Sequence, residues 1–169
     1  MHNISNVNIN CKARILIFVI LIAFVVASTA FILKNSLMNH EKSHGTSGVI
    51  TEIVTDTEDE QEWEHTNLVV RKFAHVIEYA LLGASVAAFC VFIDVVYRKH
   101  LYGYFIAYSL FIAVIDEHFQ SFSDRASSTS DILLDFLGST LGFAFVVALS
   151  FLILYLVKKK KQKNKELSH

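Results

Sequence analysis

Between Ile15 and Leu33 the chain runs nineteen residues without a single charge. At 1.5 Å per residue, one helix of that length covers roughly the 30 Å hydrocarbon layer of a bilayer. A water-soluble core does not need such a run. Three more follow: one that starts after Arg71 and Lys72 and runs to about Tyr97, broken only by His75, Glu78 and Asp94; Leu101 to about Phe119; and Ile132 to Val157, with Asp135 near its start. The composition agrees, with 53% hydrophobic residues, 18% charged residues and no proline, where an average soluble domain is about a quarter charged. The expected fold class is all-α, a polytopic membrane helical bundle of about four transmembrane helices.

The third run has an apolar part ending at Ile115, so it spans only with Asp116 and Glu117 on its last turn near the membrane surface. Residues 1–14 and 158–169 are expected as polar termini, 15–33 as the first transmembrane helix, 34–70 as an external acidic loop, and 71–157 as a three-helix membrane region. A cleaved signal peptide is the rival reading of the first run, because Lys12 and Arg14 precede it and Ser28 with Ala30 form a small-residue pair. The run is longer than the usual apolar core of such peptides, which favours an uncleaved anchor.

Lysine and arginine in short loops are retained on the cytoplasmic side and set orientation. Lys12 and Arg14 precede the first helix, Arg98 and Lys99 fill the turn between the second and third, and six of the last twelve residues are Lys. Both termini are therefore expected to be cytoplasmic. The acidic segment 34–70 and the Ser-rich loop 120–130 then lie outside. The Lys tail reads as a topology anchor on the anionic leaflet and not as a nucleic-acid site. Asp94 and Arg98, four apart at a helix end, read as an interfacial ion pair. The acidic segment has the composition of a solvated linker. Cys11 and Cys90 are too few for a disulfide scaffold and carry no assigned chemistry.

The informative residues begin in the run RKFAHVIEY. On a helix, Arg71, Lys72, His75, Glu78 and Tyr79 share one face about 120° wide. Glu78 falls about 10 Å below Arg71, where a carboxylate needs a partner or a proton, since a charge near a helix centre costs about 2.5 to 3.5 kcal/mol. In DEHFQSF, Asp116, Glu117 and Gln120 again occupy one arc, whereas His118 lies off it. After Arg125, the fourth helix opens with Asp131. Asp135, Gly138 and Gly142 continue the same stripe. The Gly138-to-Gly142 spacing lets another helix backbone approach closely, and is read as packing within the protein. Paired charges could simply hold such a bundle together. Ionisable groups inside a membrane are expensive, however, so the default expectation is a functional site.

The run RKFAHVIEYALLG, then DEHFQSF about forty residues later, then R-x5-D-x3-D-x2-G-x3-G, resembles the VanZ-like family of bacterial integral membrane proteins. The resemblance covers roughly Arg71 to Gly142. Lys72, His75, Glu78, Tyr79, Asp116, Glu117, Gln120, Phe122, Arg125, Asp131, Gly138 and Gly142 match the family pattern. The departure is in the loop, where Ser123 and Asp124 stand in place of Pro-Gly before Arg125. The resemblance implies a multi-pass protein of the bacterial cell membrane. It also implies a link to the cell envelope and to teicoplanin resistance, the property associated with the family's named member; the family name supplies no reaction.

Two readings of the cluster follow. In the first, Arg71, Lys72, Gln120, Arg125, Asp131 and Asp135 bind an outer-leaflet lipid or a lipid-linked cell-wall precursor, with any effect on a glycopeptide antibiotic indirect; Arg is the better bidentate partner for phosphate. In the second, His75, Glu78, Asp116 and Glu117 are catalytic, doing acid–base work on a phosphate-bearing lipid. Whether the protein is an enzyme stays open, since no nucleophile elbow, P-loop or dinucleotide fingerprint is present. No cofactor is expected. His75, Glu78, Asp116 and Glu117 have the donor types for Zn or Mn, but neighbouring Arg and Lys disfavour a cation and H-E-x2-H is absent. A proton or ion transporter would need polar residues through the inner half, where the helices are apolar apart from Asp94.

Overall fold

The computed structural model describes residues 10–37, 51, 60–121 and 129–166, and every described element is helical: α1 (Cys11–Ser36), α2 (Glu60–Tyr97), α3 (Tyr102–Ser121) and α4 (Thr129–Glu166). Three of them, α1, α2 and α4, are long and apolar enough to cross a membrane. The all-α bundle expected from the apolar runs is what forms. Its exterior is oily: Phe24, Phe73, Phe145 and Phe151 are each more than 60% exposed. Such a surface is stable only where the surrounding solvent is itself apolar.

The helices overrun the apolar segments that predict them. α1 starts at Cys11, with the Asn10 side chain accepting from the Lys12 backbone N–H at 3.4 Å as its cap. α2 starts at Glu60 rather than at Arg71, and α4 continues into the Lys tail as far as Glu166. Hydrophobicity marks where a chain meets lipid, but a helix continues beyond it wherever good helix formers such as Glu, Gln and Lys follow. Most of the acidic segment, at 38–50 and 52–59, lies outside the described residues, as does 122–128 of the Ser-rich loop.

The most extensive helix interface joins α2 to α4, and its cause is in the glycines. A methyl group added at Gly142 would overlap the Ala80 carbonyl, and one at Gly83 the Ser139 carbonyl. Backbone therefore meets backbone, which is how helices associate when the surrounding lipid removes any hydrophobic advantage. The Gly138–Gly142 pair thus packs within the chain, as its spacing suggests. Polar bonds add to this packing: Ser109 to Ser139 at 3.0 Å between α3 and α4, and Thr29 to Tyr108 at 2.6 Å between α1 and α3. Between them lies a core of Ile32, Leu82, Val86, Phe105, Ile112 and neighbours.

α2 ends at Tyr97, and Arg98 takes φ 56°, a left-handed turn that is uncommon for a non-glycine residue. Its N–H still reaches the Asp94 carbonyl at 3.1 Å. Asp94 accepts from the Tyr102 hydroxyl at 3.1 Å and lies 3.0 Å from His100 Nδ1. This turn end and the end carrying Asp116 are opposite poles of the bundle.

Candidate functional site

At the pole away from the 98–101 turn, three helices bring ionisable side chains together. α2 supplies His75, Glu78 and Tyr79, α3 supplies Asp116, Glu117 and Gln120, and α4 supplies Asp131 and Asp135. Their helical spacing points them inward. Asp116 is 0%, Asp135 3% and Glu117 4% exposed. The antiparallel run of α2 into α3 sets Asp116 opposite His75, and the close α2–α4 approach brings in Asp135. One donor atom from each of His75, Asp116 and Asp135 lies within 4.8 Å of the other two.

Asp116 is the hub. Its Oδ2 accepts from Gln120 Nε2 at 3.0 Å and stands 3.9 Å from His75 Nδ1. That separation is too long for a hydrogen bond. Its Oδ1 is buried and has no hydrogen-bond partner among the described residues. The fully buried Tyr79 hydroxyl is in the same position, facing Asp116, Asp135 and Glu78 without a bond of good geometry. Glu78 is held by one oxygen, which accepts from Asn35 Nδ2 of α1 at 2.9 Å, while its other oxygen is buried and has no hydrogen-bond partner among the described residues. Asp135 is within electrostatic reach of Asp116, Glu117, Asp131 and Glu78.

The rim is different. Lys72 and Asp131 form an ion pair at 2.8 Å, with side chains 56% and 28% exposed. Arg71 is half-buried on the preceding position. Arg125, expected to contribute to the same surface, lies outside the described residues. The structure thus separates two layers that sequence placed on one face: a buried, acid-rich floor and a more exposed rim carrying the Lys72–Asp131 pair. Asp116 and Glu117 sit within the bundle, buried between helices, and not on a terminal turn open to the membrane surface.

Two members of the floor are absent from the sequence-derived site. Tyr79 had a signal, since it lies on the His75 and Glu78 arc and matches the family pattern, but it carries no role in the sequence-derived site. Asn35 had none: it follows Lys34 at what looks like a helix end, and only the packing of α1 against α2 puts its amide on Glu78. His118, off the Asp116 arc by spacing, is exposed as that spacing predicts.

Chemically, the floor holds Glu78, Asp116, Glu117 and Asp135 around His75, an excess of acids that protons or a cation must balance. Imidazole beside carboxylate is a general acid–base set, and one nitrogen with two carboxylates is a metal-ligand set. No curated protein and no solved structure matches the chain. The family model described as VanZ/LLP1 matches residues 15–161, a range that takes in α1, the whole floor and the α2–α4 glycine interface. With the histidine, acids and glycines of the resemblance gathered at one pole of that match, the chain belongs to the VanZ/LLP1 family.

Proposed function

We propose that this protein is a multi-pass protein of the bacterial cell membrane, with both termini inside. On its outward face it binds or acts on a phosphate-bearing outer-leaflet lipid or a lipid-linked envelope component. The observation that carries this reading is the burial of Asp116, Glu117 and Asp135 inside a bundle whose outside is apolar, because buried ionisable groups in such a setting are costly to retain without use. Lys72 and Arg71 at the rim, and Arg125 in the sequence before α4, supply charge-assisted contacts to a phosphate. Asp131, paired with Lys72, orients the rim contacts, and Gln120 and Asp135 lie below them. Altered handling of such a component is a coherent route to tolerance of teicoplanin, whose acyl chain places its action at the membrane surface.

The test is teicoplanin and vancomycin susceptibility of a sensitive bacterium expressing the wild type, Glu78→Gln or Arg125→Ala, with membrane insertion of each checked and lipids profiled in parallel. Selective tolerance to teicoplanin in the wild type, lost in both inserted variants, supports the reading. Equal protection by the variants overturns the role of the polar cluster in the phenotype, and no protection by any chain overturns the link to resistance.

A second reading, a membrane-embedded hydrolase or transferase on the same class of lipid, is favoured by the juxtaposition of His75 and Asp116 at 3.9 Å. In it His75 moves the proton, and Glu78, Asp116 and Glu117 orient the imidazole. A binding protein tolerates His75→Gln better than Arg125→Ala, whereas the enzyme loses turnover with His75→Gln while still retaining lipid.

A further inference from the structure

The acid-rich floor crowds carboxylates together inside the bundle. The Lys72 ammonium is 2.8 Å from Asp131 and half-exposed, so it serves the rim. Below it, Asp116 and Asp135 are 0% and 3% exposed and reach towards each other and towards His75. Two carboxylates in that position repel unless a proton or a cation stands between them.

We propose that His75, Asp116 and Asp135 bind one divalent transition-metal cation, of the Mn2+ or Zn2+ type, at the junction of α2, α3 and α4. The separations fit. Two ligands each about 2.1 Å from one ion stand at most about 4.2 Å apart, and His75 Nδ1 is 3.9 Å from Asp116 Oδ2. This distance is too long for a direct hydrogen bond and suitable for two atoms sharing an ion. The wider 4.8 Å limit on the three-atom group closes with a small rotation about the broad terminal torsion of an aspartate.

A second observation comes from hydrogen bonding rather than charge. Asp116 Oδ1 and the Tyr79 hydroxyl are both buried, the hydroxyl faces Asp116, and neither makes a hydrogen bond of good geometry among the described residues. Buried polar atoms are normally bonded, and an orphaned pair at a donor cluster points to a missing ligand. The surroundings are also those of a metal centre. Gln120 donates at 3.0 Å to Asp116 Oδ2, the oxygen that faces His75, the kind of outer contact that orients a ligating carboxylate. The Gly142–Ala80 approach locks α4 against α2 and so holds Asp135 in place.

The donor set narrows the ion. Imidazole with hard carboxylates suits Zn2+ and Mn2+; soft Cu(I) prefers sulfur, and Ca2+ takes six to eight oxygens. Three protein ligands leave at least one position open to water or to an anionic oxygen. The inference stands on these residues alone and not on the identity of any lipid.

The test uses the full chain, purified in lipid nanodiscs, stripped with chelator and titrated with Mn2+ alone and with Zn2+ alone. Binding is followed by electron paramagnetic resonance for Mn2+ and by competition for Zn2+. The expected result is one saturable ion per chain, with nitrogen modulation from an imidazole in the Mn2+ spectrum. Asp116→Asn and Asp135→Asn each weaken binding by at least about tenfold, His75→Gln removes the nitrogen signal, and the exposed His118→Gln leaves both unchanged. Absence of stoichiometric binding of either ion by the folded wild type overturns the proposal. So does undiminished binding in folded Asp116→Asn/Asp135→Asn, or a nitrogen signal that survives His75→Gln. Because the wild-type spectrum is informative by itself, a variant that fails to fold does not remove the test. Loss of lipid binding with metal binding intact would sink only the lipid reading.

Discussion

The two poles of the bundle each hold an aspartate beside a histidine, and the two pairs differ in nearly everything else. At the turn end, Asp94 and His100 are 3.0 Å apart with side chains 27% and 69% exposed. At the acidic end, Asp116 and His75 are 3.9 Å apart with side chains 0% and 21% exposed. The shorter pair is the less consequential one. Exposed ion pairs contribute about 0–1 kcal/mol, because water and salt screen them and side-chain freedom is lost. The longer pair is the more buried one and has further carboxylates within electrostatic reach. Contact distance alone would rank the two poles in the wrong order; burial and the count of neighbouring charges rank them correctly.

The largest effect that tests this contrast is on the backbone that holds the acidic pole together. Gly142→Leu is expected to destabilise the protein by about 3 kcal/mol or more, since the side chain must displace the Ala80 backbone. Gly103→Ala, with nothing within 4 Å of an added methyl, should be neutral or gain up to about 1 kcal/mol through helix propensity. Thermal unfolding in nanodiscs measures both, and equal losses would break the comparison.

Next in size is a change of opposite sign. In metal-free protein, Asp135→Asn should raise stability by about 1–4 kcal/mol by removing one of the crowded buried charges. Asp94→Asn should not raise it, since Asp94 already has Tyr102 and His100. Asn35→Leu should then cost about 1.5–3 kcal/mol, because the only bonded oxygen of Glu78 loses its donor; chemical denaturation of the α1–α2 contact reads it. His100→Gln at the turn end should change stability by no more than about 1 kcal/mol. If it matches Asn35→Leu, the exposed pair has been undervalued. Lys72→Ala should be the smallest, about 0–1 kcal/mol and fading as salt rises, because the Lys72–Asp131 pair is largely solvated.

Much of the site was legible before any coordinates. The spacing of His75, Glu78 and Tyr79, of Asp116 and Gln120, and of Asp131 and Asp135 predicts one inward arc per helix, and the burial of Asp116 and Asp135 agrees. The exposed His118 confirms the same periodicity from the other side of α3. Less legible was the division of that arc by depth. Lys72 and His75 share a helical face, but one reaches Asp131 at the rim and the other approaches Asp116 in the floor. A helical wheel projects depth away, so the two layers merge in it. Asn35 was invisible for a related reason: its role depends on a helix that the wheel does not contain.

The lipid-exposed apolar surfaces of the helices and the helical arcs followed from the sequence by itself, because apolar runs and a 3.6-residue period are local properties that any helix of this composition expresses. Tertiary structure decided which acids met. Asp116 and Asp135 are nineteen positions apart in the chain and on different helices, and they converge with His75 only because Gly83 and Gly142 let α2 and α4 touch through their backbones. That contact is a matter of shape between helices, and shape between helices is not written in the period of any one of them.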